Sequence, residues 1–175
     1  MFDPTAFDNM KVVIEGALYD FDMQGTIVIT DRNDWHNLAK MARLFSVSFS
    51  LPNSKMEAKM ELETGILNLA AELLPDTVAE KNAGCFVRLQ FTMELEDNIE
   101  NFQTVEVILK KVWGETRIMK QTVEYNPLGK QPIVKNRIMI DFDRLIKEEQ
   151  MEDLVEMTEF MVITLQQLQN FLDGQ

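Results

Sequence analysis

The segment from Cys85 to Leu95 alternates apolar and polar positions with the clearest period in the chain. Its apolar set is Cys85, Val87, Leu89, Phe91, Met93 and Leu95. Successive side chains of a strand point to opposite faces of a sheet, so the pattern predicts a strand with one buried face and one wet face. A sheet with one wet face is typical of antiparallel architecture, because parallel sheets are covered on both sides.

Further strands are predicted after this one. They cover residues 105–113, 117–125 and 134–142, and turn signals separate them at 96–98, 113–115 and 126–129. Parallel neighbours would need crossover connections of about a dozen residues, and these connections are shorter. The segment from 85 to 142 is therefore predicted to be a four-stranded antiparallel meander.

In the first half of the chain the residue pattern predicts hairpins and helices. Two hairpins are predicted, one from 11–19 and 25–30 and the other from 47–51 and 56–62, with helices over 31–44 and 65–74. Asp31 is the expected N-cap of the first helix. The second helix is apolar almost all round, so we expect it to lie in the core.

The last segment, residues 143–172, contains no Gly or Pro and follows a helical heptad. Thirty helical residues would span about 45 Å, which exceeds the width of a small domain. Either the helix breaks near 148–150, or its end projects and packs on another subunit. The candidate partner-binding residues on its apolar stripe are Met151, Leu154, Met161, Leu165, Leu168 and Leu172.

These elements predict an α+β fold. It consists of two antiparallel β-hairpins with intervening helices, then a four-stranded antiparallel meander and a long C-terminal amphipathic helix. The 175 residues contain only seven Gly and five Pro, which favours long elements and short connections. No linker or repeat divides the chain, so residues 1–175 are expected to form a single domain.

Charge is distributed unevenly along the chain. The net charge of −12 argues against nucleic acid as a partner, since phosphate binding depends on Lys and Arg. Residues 105–137 nevertheless hold seven basic and three acidic side chains, whereas residues 141–175 hold two basic and nine acidic ones. The basic stretch is thus a candidate anion-binding site, with Arg117, Lys120, Lys135 and Arg137 as its ligand-binding residues.

Motifs for common catalytic mechanisms are not found. His36 is the only histidine, which excludes a two-histidine zinc site within one chain. Cys85 falls on the apolar face of its strand and is expected to be a buried, unreactive thiol. The two Asp-Phe-Asp triplets, 20–22 and 141–143, offer oxygen ligands for Mg²⁺ or Ca²⁺, but both also fit turn and capping positions. We predict no catalytic, metal or cofactor-binding residue.

The location predicted from the sequence is cytoplasmic. The first residues show no secretory signal, a single Cys suits a reducing compartment, and no apolar run approaches the ~18–20 residues of a membrane span. Membrane and nucleic acid are both excluded as expected partners.

Function is expected to be non-enzymatic. Twelve Met residues fit an irregular core, because the Met side chain fills uneven gaps. Together with strong acidity they also resemble the composition of adaptors and small chaperones, since Met side chains accept varied apolar partners. The leading hypothesis is a protein-interaction domain that self-associates through its C-terminal helix. The alternative is a protein or enzyme that binds a small anionic ligand on the basic strands 105–137. An acidic mimic of nucleic acid is a third possibility.

Overall fold

Six antiparallel strands form one sheet in the computed structural model, which describes residues 5–74 and 80–175. The strands are β1 Val28–Asn37, β2 Ala42–Ser50, β3 Glu57–Thr64, β4 Cys85–Glu96, β5 Ile118–Glu124 and β6 Ile133–Ile146. The helices are α1 Ala6–Met23, α2 Ile66–Leu73, α3 Ile99–Trp113 and α4 Met151–Asp173, with short 3₁₀ turns at Glu80–Asn82 and Glu148–Gln150. The strand order is β1-β2-β3-β4-β6-β5, so β1 and β5 are the two edges.

Three helices cover one face of this sheet. The inward residues of α1, α3 and α4 share one hydrophobic core with the apolar side chains of the strands. The opposite face of the central strands carries half-buried polar residues such as Lys59, Glu61 and Arg88, as the alternation predicts. The predicted α+β class and the predicted sheet with one wet face are confirmed.

Several elements lie where the sequence predicts them. The hairpin over residues 47–62 is formed by β2 and β3, and the strands predicted at 85–95, 117–125 and 134–142 are β4, β5 and β6. The helix predicted over 143–172 is wrong for its first residues, because residues 143–146 belong to β6 and a 3₁₀ turn at Glu148–Gln150 follows; no helix is broken at 148–150. The terminal helix accordingly begins at Met151 rather than at residue 143.

The hairpin predicted from residues 11–30 is wrong, since helix α1 occupies Ala6–Met23. Phe7, Met10, Ile14 and Leu18 recur every three or four residues and are all buried. Thr5 caps the helix by accepting a hydrogen bond from the backbone N–H of Asp8. A helical stripe that packs on the sheet therefore outweighs the strand preference of the β-branched residues inside it.

The helix predicted over 31–44 is also wrong. Those residues form β1, the turn after it and the first part of β2, which pair from Val28↔Ser50 to Asn37↔Ala42. In β2 the buried side chains Phe45, Val47 and Phe49 alternate with smaller residues. Ser46 and Ser48 are buried as well, so it is the alternation of large apolar with small residues, and not alternating burial, that marks β2 as a strand. β1 is an edge strand whose own pattern is mostly polar.

The predicted four-stranded meander is corrected to three strands and a helix. Residues 99–113 form α3, in which Val105, Leu109 and Trp113 lie on one buried face at a spacing of four. Asn98 accepts a hydrogen bond from the Glu100 N–H and caps the helix. After α3 the chain rejoins the sheet as β5, which is an edge strand. The next strand, β6, then lies between β5 and β4.

Candidate interaction surface

Helix α2 presents its apolar side to solvent. The residues that it buries are Asn68 and Ala71, whereas Ile66, Leu67 and Leu73 are 54%, 72% and 69% exposed. The sequence predicts a helix at this position, which is confirmed, but the expectation that the helix lies in the core is wrong. Its outward stripe has the spacing that would normally face a core.

Hydrogen bonds hold α2 in this orientation. Asn68 accepts from the Gly65 N–H at 2.9 Å and donates through Nδ2 to the Asn82 carbonyl at 2.8 Å. The Ala6 N–H, at the start of α1, donates to Glu72 Oε2 at 3.2 Å. The inward face of α2 is thus fastened by polar contacts, and its apolar residues are left outside.

The turn between β1 and β2 is also apolar at its surface. In the turn, Met41 is exposed and Leu38 is 81% exposed; Trp35, near the end of β1, is exposed as well. Turn tips usually carry polar residues, because their backbone groups are hydrated. The exposed apolar residues at this end of the hairpin are therefore a candidate contact surface.

A cleft separates this turn from α2. Its volume is about 250 Å³, and Phe7, Leu38, Met41 and Leu69 are among the residues that line it. The Arg43 guanidinium also lines the cleft and lies 4.5 Å from the centroid of the Phe7 ring. The cleft therefore lies between Leu38 and Met41 on the turn side and Leu69 on the α2 side. We name Trp35, Leu38, Met41, Ile66, Leu67 and Leu73 the apolar end surface.

An ion-pair network fixes the turn to α1. Arg43 donates to Asp34 through Nε and Nη2 at 2.9 and 2.7 Å, and through Nη1 to Asp8 at 2.6 Å. Lys11 Nζ donates to Asp34 at 2.6 Å. Hydrogen bonds from Arg43 and then from Lys11 hold the pKa of Asp34 well below its usual range, against the effect of burial. The end of the β1–β2 hairpin is therefore joined to the N-terminal part of α1 by charged hydrogen bonds.

Acidic side chains border the same surface. A second cavity of about 820 Å³ is lined by Leu73 of α2 and by four glutamates, Glu72, Glu80, Glu148 and Glu149, with Lys147 as the basic residue among them. Burial raises the pKa of Glu72, and the charges of Glu148 and Asp8 raise it further. The potential around the exposed apolar side chains of α2 is accordingly negative.

The predicted anion-binding residues are only partly brought together. The open face of β5 and β6 carries three of them, Lys120, Lys135 and Arg137. Their partners across the two strands are Met139, Glu124 and Thr122, respectively. Acids are interleaved with them: Arg137 pairs with Glu124 at 2.6 Å, and Lys135 lies opposite both Glu94 and Glu124.

Arg117 is the residue that lies apart from this group. Its guanidinium stacks 4.9 Å from the Phe142 ring, on the side of the sheet that the helices cover. It lines a cavity of about 220 Å³ together with Trp113, Phe160 and Arg144, and Asp153 and Glu156 also border this cavity. The sequence did not predict the aromatic walls, because Trp113 and Phe160 are distant in the chain and meet only in the fold.

The residues predicted to bind a partner through α4 are part of the protein's own core. Leu154, Met161, Leu165 and Leu168 are buried, and Met151 and Leu172 pack against the same cluster. Helix α4 contacts both α1 and α3 within the chain. Exposed apolar residues lie elsewhere in the fold, among them those of the apolar end surface.

The remaining candidate residues have local roles. Burial raises the pKa of the Cys85 thiol to about 12. His36 is exposed, and its Nε2 lies 3.8 Å from Asp34 Oδ1. The turn and capping positions predicted for the two Asp-Phe-Asp triplets are wrong, because residues 20–22 lie in α1 and residues 141–143 lie in β6, where Asp141 accepts a hydrogen bond from the Asp143 N–H. Among residues 5–74 and 80–175, no three His, Cys, Asp or Glu side chains are grouped as metal ligands.

The helices in the described part of the chain are too short or too polar to cross a membrane.

Comparison of the chain with models of protein families, with curated proteins and with solved structures gave no match.

Proposed function

We propose that this protein is a non-enzymatic interaction module that binds an apolar, positively charged segment of a partner protein at the apolar end surface. The orientation of α2 is the observation that carries this proposal. The helix buries a hydrogen-bonded Asn68 and directs Ile66, Leu67 and Leu73 outward. Apolar area in water costs about 25 cal/mol per Å², so a partner that covers these side chains recovers that free energy.

The chemistry of the partner follows from the charges around the surface. Glu72, Glu80, Glu148 and Glu149 line the cavity beside Leu73. A segment with apolar residues on one side and Lys or Arg at its margin complements this arrangement, and the negative potential would speed its encounter. An amphipathic basic helix satisfies both requirements.

The surface is also suited to binding because it is held in place before a partner arrives. The bidentate contact of Arg43 with Asp34 and its contact with Asp8 join the β1–β2 turn to α1. A preorganised surface loses less conformational entropy on binding than a mobile one. As part of the same proposal, we place this interaction in the cytoplasm, where the single thiol of Cys85 would stay reduced.

Binding can be tested with labelled synthetic helical peptides. One peptide has Leu on one face and Lys on the other, and a second has Glu in place of Lys. Fluorescence anisotropy should show binding of the Leu/Lys peptide and little binding of the Leu/Glu peptide. Affinity for the first peptide should fall at least tenfold in the Leu67→Ser/Leu73→Ser variant, since two anchoring side chains are lost.

A matched variant controls for non-specific attraction to an acidic protein. Ile99 and Val107 on α3 are 68% and 65% exposed, close to the values for Leu67 and Leu73. The Ile99→Ser/Val107→Ser variant should bind the Leu/Lys peptide as the parent protein does. Absence of binding by the parent protein, or equal losses in the two variants, would refute the proposal.

A second candidate function rests on the Arg117 cavity. Its aromatic walls and the Arg117 guanidinium, which has no carboxylate within 4.0 Å among the described residues, suit a small aromatic carboxylate. Benzoate and phenylacetate at millimolar concentration should then raise the melting temperature, and Arg117→Gln should abolish the increase. An unchanged melting temperature would exclude this ligand class.

A further inference from the structure

Strand β5 is a regular sheet edge that no described strand covers. All seven of its residues, Ile118 to Glu124, pair with β6 without a register shift. The other edge, β1, is interrupted by a bulge between Ile29 and Asp31. Bulges are a common device against edge-to-edge pairing, and β5 lacks one. The unpaired N–H and C=O groups along β5 can therefore accept another strand.

The side chains of β5 complement a second copy of the same strand. In antiparallel pairing about a two-fold axis at Thr122, Lys120 of each copy lies opposite Glu124 of the other. Lys120, Thr122 and Glu124 all stand on the open face of the sheet and are exposed. Opposite charges placed directly across two strands stabilise the pair. A two-fold axis produces this contact twice, because the interface is isologous.

Neighbouring residues favour the same register. Glu124 already pairs with Arg137 at 2.6 Å, so its carboxylate is oriented on the open face. On the other face, Met119 would lie opposite Tyr125 of the second copy, and Tyr125 is now largely exposed. A register shifted by one residue to centre on Gln121 would place Ile118 opposite Glu124 and would lose both charge pairs.

We propose that two copies of this chain associate by antiparallel pairing of their β5 strands into one continuous sheet. The apolar end surface involves the β1–β2 turn and α2, whereas β5 is the opposite edge, so both of these surfaces remain free in the dimer. Two binding surfaces on one particle would raise the avidity for a partner with two segments. The dimer itself does not depend on the function proposed above.

Charge exchange tests the register directly. Light scattering after size exclusion should give twice the chain mass of 20.3 kDa for the parent protein. Lys120→Glu and Glu124→Lys each place like charges opposite one another at two positions, and each should weaken the dimer at least tenfold. When the two variants are mixed, every opposed pair again carries opposite charges, so native mass spectrometry should show a heterodimer.

Two controls make the result unambiguous. Lys130→Glu changes the charge equally at an exposed position outside the strand and should leave the dimer intact. Circular dichroism and melting curves should show that every variant is folded. A parent protein that is monomeric at 100 µM would overturn the proposal. So would a dimer insensitive to Lys120→Glu, equal weakening by Lys130→Glu, or a mixture that forms no heterodimer.

Discussion

Asp34 on β1 and Arg43 on β2 form a two-pronged ion pair across the hairpin, with Nε and Nη2 of the guanidinium 2.9 and 2.7 Å from the two carboxylate oxygens. The same carboxylate accepts a hydrogen bond from Lys11 on α1. Both side chains of the pair are largely shielded from water. A single carboxylate thus connects the first helix to the turn that carries part of the apolar end surface.

Asp34→Asn should destabilise the protein at pH 7 by on the order of 2 kcal/mol, because hydrogen bonds to charged groups are lost. Arg43 and Lys11 depress the pKa of Asp34 in the folded state. Its stabilisation is therefore complete above the usual pKa of about 3.9 and is lost as pH falls toward the folded value. In denaturant melts from pH 7 to pH 2, the difference between parent and variant should be constant down to about pH 4 and should then shrink progressively toward pH 2.

Asp31→Asn is the control for this change, since Asp31 lies on the same strand and accepts only a short-range hydrogen bond from Asn33 among the contacts described. It should alter the free energy of unfolding much less than Asp34→Asn. A pH-independent difference between the parent and Asp34→Asn would contradict the assignment of the effect to ionised Asp34.

Glu72→Gln should have the opposite effect on stability. Burial, then the charges of Glu148 and Asp8, raise the pKa of Glu72 in the folded protein. The ionised form of Glu72 is therefore less favourable in the folded than in the unfolded state. Ionisation lowers the free energy of unfolding at pH values above the folded pKa, and it has no effect below about pH 4, where the carboxyl is protonated in both states. The variant should melt at a higher temperature than the parent at pH 7, and the gap should close as the pH falls.

Neutralising any acid on a chain of net charge −12 relieves some repulsion, so Glu63→Gln at an exposed position supplies the comparison. Glu72→Gln should raise the melting temperature by more than Glu63→Gln. An equal increase in both variants would show that overall charge, and not the site of Glu72, is responsible.

The strands that could be predicted from the sequence are those with a complete pattern of their own. In β4 and β3, buried residues such as Leu89 and Met60 alternate with polar ones over the whole strand. Helices α1 and α3 were missed because each contains a β-branched run and buries only a narrow stripe. In α1 the stripe becomes visible when the window extends from Phe7 to Leu18. In α3 the stripe of Val105, Leu109 and Trp113 lies inside the segment predicted as a strand, where the alternation of Val105, Val107 and Leu109 obscures it.

The apolar end surface was harder to predict for a different reason. Hydropathy predicts that Leu67 and Leu73 are buried, but the orientation of α2 depends on a hydrogen bond from Asn68 to Asn82, fourteen residues away. A lone Asn within an apolar helix was the available signal. It indicates that one side of the helix needs a polar partner, but the sequence does not name that partner.

The packing of α4 within its own chain can be tested with two residues of that helix. Leu165 is 1% exposed and belongs to the core, whereas Ile163 is 39% exposed. Leu165→Ala should reduce the free energy of unfolding by about 2–5 kcal/mol, since it leaves a cavity. Ile163→Ala should reduce it by less than about 1 kcal/mol. Urea melts at low and high protein concentration should give the same difference in free energy of unfolding between parent and Leu165→Ala, because the contact is intramolecular. A difference that depends on protein concentration would argue for packing between subunits.

Gly84 joins the 3₁₀ turn to β4 at a position where a side chain does not fit. Its φ is +139°, and a Cβ there would lie 2.6 Å from the carbonyl oxygen of Ile146 at the end of β6. Gly84→Ala should therefore destabilise the protein by more than about 1 kcal/mol, because both the backbone conformation and the close approach of β6 oppose a side chain.

Gly16, within α1, has open space around its Cβ position, so Gly16→Ala should stabilise the protein by about 0.5–1 kcal/mol. Opposite shifts of the urea midpoint in the two variants are the expected result. A neutral Gly84→Ala would mean that the start of β4 does not lie against Ile146 as described.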